Sequence, residues 1–282
     1  MLKNKMEKQT LVSIILPAYN SEKYIQRAVE SALKQSYKNI EVIIIDDSPN
    51  DKTMNIVSEI RRRDDRIIYI KHVNRMGFVK SLNKGIRIAK GEYIARLDSD
   101  DFWCDQKKLE KQVRFFEDHQ DYVLSGGGCI SIDDMGRELY RWSSLEKDIR
   151  NTIFPDNQFI HSTVVFRKSA YELTGGYDEQ LNYCEDWDLW LKMGKIGKLY
   201  NFPDYFVCYL QGSQNRSNRT KECKVAINLI KKYRNDYPGF RRAILLGWIY
   251  YCYSFLPPSF RRLLLPISSK LRGMILNYAT PH

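Results

Sequence analysis

The sequence predicts an α/β protein with a doubly wound, mostly parallel sheet and flanking helices. Short aliphatic runs alternate with segments of helical periodicity over about the first hundred residues, which is the pattern of parallel strands joined by helices. Residues 40–45 are aliphatic except for Glu41, as a strand covered on both faces requires. Polar clusters follow three of the predicted strands, at the edge where such sheets bind ligands.

Apolar spacing assigns the individual elements in order. Runs rich in β-branched residues predict strands at residues 12–16, 40–45, 67–70, 93–97, 163–166, 199–201 and 206–210. Apolar residues at helical spacing predict helices at residues 25–33, 53–63, 78–89, 105–118 and 185–193. The glycines at 126–128 follow a further strand and lack the G-x-G-x-x-G spacing of a dinucleotide site. We expect them to form a turn beside the binding cleft.

The composition is that of a globular protein with a sizeable core. The chain has 282 residues, 43% hydrophobic and 28% charged, enough for one large domain or one domain with an appendage. Its six cysteines include no C-x-x-C pair, which argues against a zinc site or a disulfide framework and favours a reducing compartment. The first apolar run is too short for a signal peptide. These features predict a cytoplasmic protein.

Three acids in four positions, Asp98, Asp100 and Asp101, follow the predicted strand at residues 93–97. Burying like charges together is unfavourable unless they are neutralised. A Mg²⁺ or Mn²⁺ ion would neutralise them and would also bind phosphate oxygens. Alone, the motif could be a surface turn that caps the next helix. Further polar clusters at residues 17–20 and 46–48 favour a site for a nucleotide diphosphate.

These segments together resemble the inverting glycosyltransferases of family 2, which have the single-domain nucleotide-sugar fold called GT-A. The matching stretches are VSIILPAYN at 12–20, IDDS at 45–48, NRMG at 74–77, GEYIARLDSDD at 91–101 and EDWD at 185–188. The resemblance runs from about residue 12 to about residue 215. It implies that the nucleoside is bound by Pro17, Tyr19, Asn20, Asp47 and Arg75, with Asp47 accepting a hydrogen bond from the base.

The resemblance also implies a divalent cation, Mn²⁺ or Mg²⁺. Asp100 would bind it, and Asp98 would contact the ribose or the metal. Asp186, or alternatively Glu185, would deprotonate the acceptor hydroxyl in a single inverting displacement, while the metal would neutralise the departing diphosphate. The two acids could instead be only an acidic first turn stabilised by the helix dipole.

Some positions depart from the family or stay ambiguous. Family members often carry a His after the last strand, which this chain lacks. Arg216 or Arg219 could provide the cation over the diphosphate instead, and ordinary solvated arginines are the alternative. We expect His161 to be a hydrogen-bonded core residue. Trp187 and Trp190 could form a wall for the acceptor or belong to the core, which is favoured for Trp190.

The sequence predicts three regions: an N-terminal extension (1–10), a catalytic domain (11–220) with a nucleotide-binding half (11–101) and an acceptor-binding half (102–220), and a helical, basic and apolar tail (221–282). From Lys231 onward there are nine basic residues and one acid, Asp236. The uncharged run at 243–256 is shorter than the roughly 20 residues of a spanning helix. Basic residues beside apolar ones predict peripheral attachment to an anionic membrane on its inner face. The alternative is a helix that packs on the catalytic domain.

The sequence thus predicts an inverting, metal-dependent glycosyltransferase. It would move a sugar from a nucleotide-sugar, expected to be a UDP-sugar, to a glycan or lipid-linked acceptor in cell-surface polysaccharide synthesis. A sugar-phosphate nucleotidyltransferase is one alternative, but it should have a Gly-rich basic loop where this chain has residues 17–20. A nucleic-acid-binding protein is the other. No nucleic acid is expected, because the basic charge lies in an aliphatic tail.

Overall fold

The computed structural model describes residues 9–143, 148–150, 152–211 and 218–256. Within them, nine strands form a single sheet. The strands are β1 (Val12–Ala18), β2 (Ile40–Asp46), β3 (Ile67–Lys71), β4 (Tyr93–Arg96), β5 (Phe102–Trp103), β6 (Tyr122–Ile132), β7 (Glu138–Trp142), β8 (Val165–Arg167) and β9 (Lys198–Leu210). The α-helices are α1 (Ile25–Leu33), α2 (Lys52–Arg61), α3 (Phe78–Ile88), α4 (Lys108–Asp118), α5 (Lys168–Leu173), α6 (Glu185–Gly194), α7 (Arg219–Lys232) and α8 (Phe240–Ser254).

The first half of the sheet is parallel. The strands β3, β2, β1 and β4 lie side by side in that order. Every residue of β1 and β2 is buried, because helices cover both faces. Ile15 packs in one cluster with residues of α3, and Ile14 packs in another with residues of α1. Ala18 pairs with Asp46 in the register, so both strands end at the same edge.

The second half of the sheet is mixed. The strand β8 is antiparallel to both β4 and β6, β9 is parallel to β6, and β5 is antiparallel to β9. The order across the sheet is β3-β2-β1-β4-β8-β6-β9-β5, and β7 pairs with β6. This arrangement confirms the predicted α/β fold with a mostly parallel sheet. The runs predicted as separate strands at 199–201 and 206–210 are parts of the single strand β9.

The prediction of a turn at the three glycines was wrong, because they lie inside β6. Close approach of neighbouring groups explains their presence there. A Cβ atom on Gly126 would lie 2.5 Å from the Phe159 ring, and one on Gly127 would lie 2.4 Å from the Phe206 ring. Larger side chains would clash at both positions. The glycines therefore allow the core aromatics to pack directly on the strand.

The C-terminal helices α7 and α8 pack on the sheet domain. Leu229, Tyr233 and Ala243 belong to the same buried cluster as Trp190 of α6. The buried carboxylate of Asp188 also joins the elements, because it accepts hydrogen bonds from Lys232 Nζ and Tyr233 Oη, both at 2.8 Å. No helix within the described residues is long and apolar enough to cross a membrane. Residues 257–282 of the predicted tail lie outside the described residues.

Candidate active site

A cavity of about 790 Å³ opens at the edge where β1, β2 and β4 end. Most of the sequence-predicted site residues line it. They are Pro17, Tyr19, Asn20, Asp47, Arg75, Asp98, Asp100, Glu185 and Asp186. Segments that are far apart in the chain therefore meet around one space, as the resemblance implied. Their individual roles stay predictions, and the contacts below determine which roles each residue can fill.

Tyr19 and Arg75 form part of the cavity wall. The Arg75 guanidinium lies 4.3 Å from the centroid of the Tyr19 ring, and the ring itself is 42% exposed. Next to it, Asn20 adopts a left-handed backbone with φ of 50°, and its N–H donates to Ser48 Oγ at 2.8 Å. An exposed aromatic face beside a cation suits the planar ring of a nucleobase.

Asp47 is held in place by three donors. His72 Nδ1 lies 2.6 Å from Oδ1, the Met76 N–H donates to Oδ1 at 3.1 Å, and the Gly77 N–H donates to Oδ2 at 2.6 Å. Burial disfavours the ionised carboxyl, but these hydrogen bonds outweigh it and hold the pKa of Asp47 below its ordinary value. Gly77 has φ of +90°, a conformation that favours glycine. Asp47 is therefore an ionised, fixed hydrogen-bond acceptor in the cavity wall.

The acids after β4 divide into two groups. Asp98 and Asp100 line the cavity, and Asp98 Oδ1 accepts from the buried Arg96 guanidinium at 2.6 Å. Asp101 is buried instead, where it accepts from Ser162 Oγ at 2.5 Å and from the Leu210 N–H at 3.0 Å. Burial and the two neighbouring carboxylates raise its pKa well above the ordinary value. Asp101 thus connects the loop to β9, and only its neighbours face the ligand space.

Asp186 lies in the first turn of α6 and lines the same cavity. Its Oδ2 accepts from Asn157 Nδ2 at 2.8 Å, and its Oδ1 accepts from the Trp187 N–H at 2.7 Å. Burial, with smaller contributions from the charges of Glu222 and Asp98, raises the pKa of Asp186 to about 6. A carboxylate with this pKa can accept a proton near neutral pH. Glu185 also lines the cavity.

Comparison with known proteins identifies the family. A profile described as glycosyl transferase family 2 matches residues 13–173, more than half of the chain. The chain belongs to glycosyltransferase family 2. It is also 50% identical over 255 residues to the UDP-Glc:alpha-D-GlcNAc-diphosphoundecaprenol beta-1,3-glucosyltransferase WfaP of Escherichia coli, a match that covers 87% of this chain and 97% of WfaP.

Solved structures of glycosyltransferases share the fold. The TarS fragment 1–349 of S. aureus in complex with UDP-GlcNAc superposes with a TM-score of 0.66 at 19% identity, covering 93% of this chain and 77% of TarS. The mannosyltransferase PcManGT of Pyrobaculum calidifontis, in complex with GDP-Man and Mn²⁺, superposes with a TM-score of 0.63 at 15% identity, covering 95% of this chain and 81% of PcManGT. These likenesses confirm the predicted GT-A fold.

The donor atoms in this family 2 site suit a divalent cation only in part. Within the described residues, no group of three or more His, Cys, Asp or Glu side chains is arranged to hold a metal ion. Two carboxylates, Asp98 and Asp100, do line the cavity, and carboxylate oxygens are the ligands that Mg²⁺ and Mn²⁺ prefer. Such ions often bind through one or two carboxylates and complete their coordination with substrate phosphates and water. The residues therefore fit a cation that arrives with a diphosphate.

His161 lines the cavity of this glycosyltransferase but is occupied by structural contacts. Its Nε2 lies 3.1 Å from Arg96 Nε and 2.7 Å from Tyr177 Oη. Because arginine can only donate, this nitrogen is the acceptor and the ring is neutral. Burial lowers the pKa of His161 to about 3, so it cannot serve as a base that becomes charged near neutral pH. Trp190 is fully buried and Trp187 nearly so, which places both in the core.

The structure describes one of the two arginines predicted to contact the diphosphate. Arg216 lies outside the described residues. Arg219 is the first residue of α7 and is absent from the described cavity lining. Its guanidinium lies 5.6 Å from the centroid of the Tyr253 ring. Among described residues, Arg75 and Lys23 are the cations that line the cavity.

Several contact residues were not predicted from the sequence. His72 and Asn157 hold Asp47 and Asp186, Arg96 holds Asp98, and Glu222 of α7 reaches the cavity from beyond the predicted catalytic domain. The sequence does contain a signal for Arg96, because a charged residue inside an otherwise apolar strand needs a buried partner. The other three depend on contacts across the fold, which spacing along the chain does not encode.

Proposed function

We propose that this protein is an inverting, metal-dependent glycosyltransferase that transfers glucose from UDP-glucose to a lipid-linked α-D-GlcNAc diphosphate during cell-surface polysaccharide synthesis. The 50% identity to WfaP over nearly all of that enzyme supports the two substrates. The chemistry is supported by the position of Asp186 in the same cavity as Asp98 and Asp100. One cavity thus contains both a candidate base and carboxylates for a diphosphate-bound cation.

UDP would bind between β1 and β2. The uracil ring would stack at Tyr19 and Arg75, whose side chains already face one another at 4.3 Å. Asp47 would accept a hydrogen bond from the uracil N3–H, because its ionised oxygens can only accept. Pro17 and Asn20 would complete this wall. A base without a donor at that edge would lose this hydrogen bond to a charged acceptor.

Asp98 and Asp100 would hold the Mg²⁺ or Mn²⁺ that accompanies the diphosphate. When bound, such an ion supplies Lewis-acid stabilisation of charge on the leaving UDP. The protein's own contribution is to fix the carboxylates. Arg96 is fully buried and donates to Asp98 at 2.6 Å, and the Asp98 N–H donates to Ser162 Oγ at 3.0 Å.

Asp186 would act as the general base. An acceptor hydroxyl would form its bond to the anomeric carbon of glucose on the face opposite UDP, the bond from that carbon to the phosphate oxygen would break, and the hydroxyl proton would pass to the Asp186 carboxylate. One displacement inverts the configuration and needs no covalent intermediate. Asp186 is favoured over Glu185 because Asn157 orients its carboxylate and burial adjusts its pKa to about 6.

The direct test incubates the purified protein with UDP-glucose and an α-D-GlcNAc diphosphate carrying a soluble alkyl chain. We expect UDP release and a β-linked product by NMR, no turnover with a chelator, and recovery when Mn²⁺ or Mg²⁺ is returned. Asp186→Asn should lower the rate roughly 10²–10⁴-fold. An α-linked product, or full activity in chelator, would contradict the mechanism. Pyrophosphate release from UTP and glucose 1-phosphate would favour the nucleotidyltransferase instead.

Peripheral membrane attachment is part of the proposal. The apolar side chains of Leu245 and Trp248 on α8, and of Phe255 directly after it, are 55%, 47% and 63% exposed and recur at helical spacing. Arg241 and Arg242 precede them, and the sequence beyond has four basic residues and no acid. An apolar stripe beside cations suits the surface of an anionic bilayer. Attachment there would bring the cavity to a lipid-linked acceptor on the inner face of the membrane.

Flotation with vesicles tests the attachment. We expect the protein to float with phosphatidylglycerol vesicles at low salt and less so at high salt. Replacing Leu245 and Trp248 by serine should abolish flotation, whereas Leu173→Ser, which removes an even more exposed leucine on α5, should not. Flotation unaffected by the α8 substitutions would contradict the proposal. Salt-sensitive binding to DNA or RNA without flotation would favour the nucleic-acid alternative.

A further inference from the structure

We propose that Glu222 of α7 binds the acceptor sugar and positions its attacking hydroxyl against Asp186. This inference rests on the proposed function and assigns a residue to the acceptor side of the same cavity. Within the described parts of α7 and α8, Glu222 is the one residue that lines the cavity. It lies beyond about residue 215, where the resemblance to the family 2 motifs ends, so that resemblance gives it no role.

Glu222 lies near Asp186, where the acceptor hydroxyl has to be placed. The two side chains line the same cavity, and the charge of Glu222 contributes, after burial, to the raised pKa of Asp186. Asn182 and Tyr183, in the loop before α6, line this cavity as well. These are polar groups of the kind that bind sugar hydroxyls.

The position of Glu222 is fixed relative to Asp186. Cys184, two residues before the base, has its thiol 3.7 Å from the backbone oxygen of Glu222. At the other end of α7, Lys232 and Tyr233 both donate to the buried carboxylate of Asp188 on α6. The two helices are therefore joined at both ends of their contact. A ligand held by Glu222 would keep a constant distance from the base.

The chemistry of Glu222 suits a neutral sugar. Its side chain is exposed to the cavity, and among described residues no cation lies within ion-pair distance of its carboxylate. An ionised carboxylate accepts hydrogen bonds only, and sugar hydroxyls are donors. Hydrogen bonds to a charged acceptor are roughly twice as strong as those between neutral groups. Glu222 would thus bind a hydroxyl adjacent to the one that attacks.

The experiment separates acceptor binding from donor chemistry. For the full chain, transfer of glucose to the soluble α-D-GlcNAc diphosphate and hydrolysis of UDP-glucose without acceptor are measured side by side. Glu222→Ala should raise the acceptor KM roughly 10- to 100-fold, because a charge-assisted hydrogen bond is lost. Glu222→Gln keeps an acceptor atom and should raise it less. The KM for UDP-glucose and the rate of hydrolysis should stay within about twofold of wild type, because the substitutions weaken only the binding of the acceptor.

Glu172→Gln is the matched control, because Glu172 is an exposed glutamate on α5 that is absent from the described cavity lining. It should leave the acceptor KM, the KM for UDP-glucose and the rate of hydrolysis unchanged. An unchanged acceptor KM in both Glu222 variants, or an equal loss of hydrolysis and transfer, would overturn the inference while wild-type transfer stands. A wild-type protein that transfers no glucose would instead overturn the proposed function, and this inference with it.

Discussion

The buried guanidinium of Arg96 donates to the carboxylate of Asp98, with Nη2 and Oδ1 2.6 Å apart. The same guanidinium donates to the backbone oxygens of Ile15 and Leu97, and its Nε donates to His161 Nε2. Arg96 therefore joins the end of β4, the middle of β1 and the short helical turn around His161. The cavity-facing carboxylate is oriented by a cation that the ligand never touches.

Arg96→Met should destabilise the protein and weaken the site at once. Its removal leaves buried oxygens without donors and Asp98 without its partner, and breaking such a buried pair costs about 3–5 kcal/mol. Urea unfolding followed by circular dichroism measures the loss. Arg114→Met is the control, because the Arg114 side chain is 83% exposed and surface pairs contribute little. A change of under about 0.5 kcal/mol in the Arg96 variant would contradict the structural role.

The rate of transfer should depend on pH through Asp186. The base must be ionised to accept the proton, and burial raises its pKa to about 6. We expect kcat/KM to be constant above about pH 7 and to fall tenfold per pH unit below about pH 6. Initial rates between pH 4.5 and 8.5 test this. If kcat/KM instead falls around the ordinary carboxyl pKa, the base is another group or a carboxylate that is exposed to solvent.

Asp186 should also lower the stability of the folded protein at neutral pH. Its carboxyl has a folded pKa of about 6, above the ordinary value of 3.8. The folded state therefore holds a proton more tightly than the unfolded state, and stability falls as the pH rises between these values. Asp186→Asn removes the buried charge.

We expect the Asn variant to be roughly 1–3 kcal/mol more stable than wild type at pH 7 and the difference to vanish near pH 4. Denaturant unfolding at both pH values checks this. Asp178→Asn is the control. The Asp178 carboxylate accepts from the Gln180 N–H in a turn, and its replacement should give no gain in stability. A difference in unfolding free energy that does not change with pH would mean that the buried charge of Asp186 is not its cause.

Much of the fold was predictable because the parallel half of the sheet has strong sequence signals. Strands buried on both faces are aliphatic runs, and the residues that follow them must be polar if they bind a charged ligand. The short strand β5 and the edge strand β7 were missed. β7 is exposed along four of its five residues, so its sequence shows no apolar face.

Most cavity-lining residues of the sheet edge and of α6 were predictable, whereas the residues that hold them in place were not. Asp47 and Asp186 follow recognisable motifs, whereas their partners His72 and Asn157 are 25 and 29 residues away in the chain. Gly126 was misassigned for the same reason, since the Phe159 ring that requires a glycine there comes from a distant segment. Local spacing encodes strands and helices, but these contacts exist only once the sheet is assembled.

His72 should therefore act on donor binding through Asp47. The ring nitrogen Nδ1 lies 2.6 Å from Asp47 Oδ1, and His72→Ala removes the side-chain donor that holds this carboxylate while leaving the N–H groups of Met76 and Gly77. Because Asp47 is then held less firmly, the KM for UDP-glucose and the Kd for UDP should rise roughly 5- to 20-fold. A change of this size is expected when one hydrogen bond to a charged group is lost. The acceptor KM should stay unchanged. His72→Asn retains a donor and should recover part of the affinity.

His119→Ala is the control, because His119 stacks on Phe115 at the end of α4 and is absent from the described cavity lining. Calorimetric titration with UDP distinguishes the outcomes: equal affinity in the His72→Ala and wild-type proteins would mean that Asp47 needs no side-chain support, whereas a loss that His72→Asn restores would identify the donor itself as the cause.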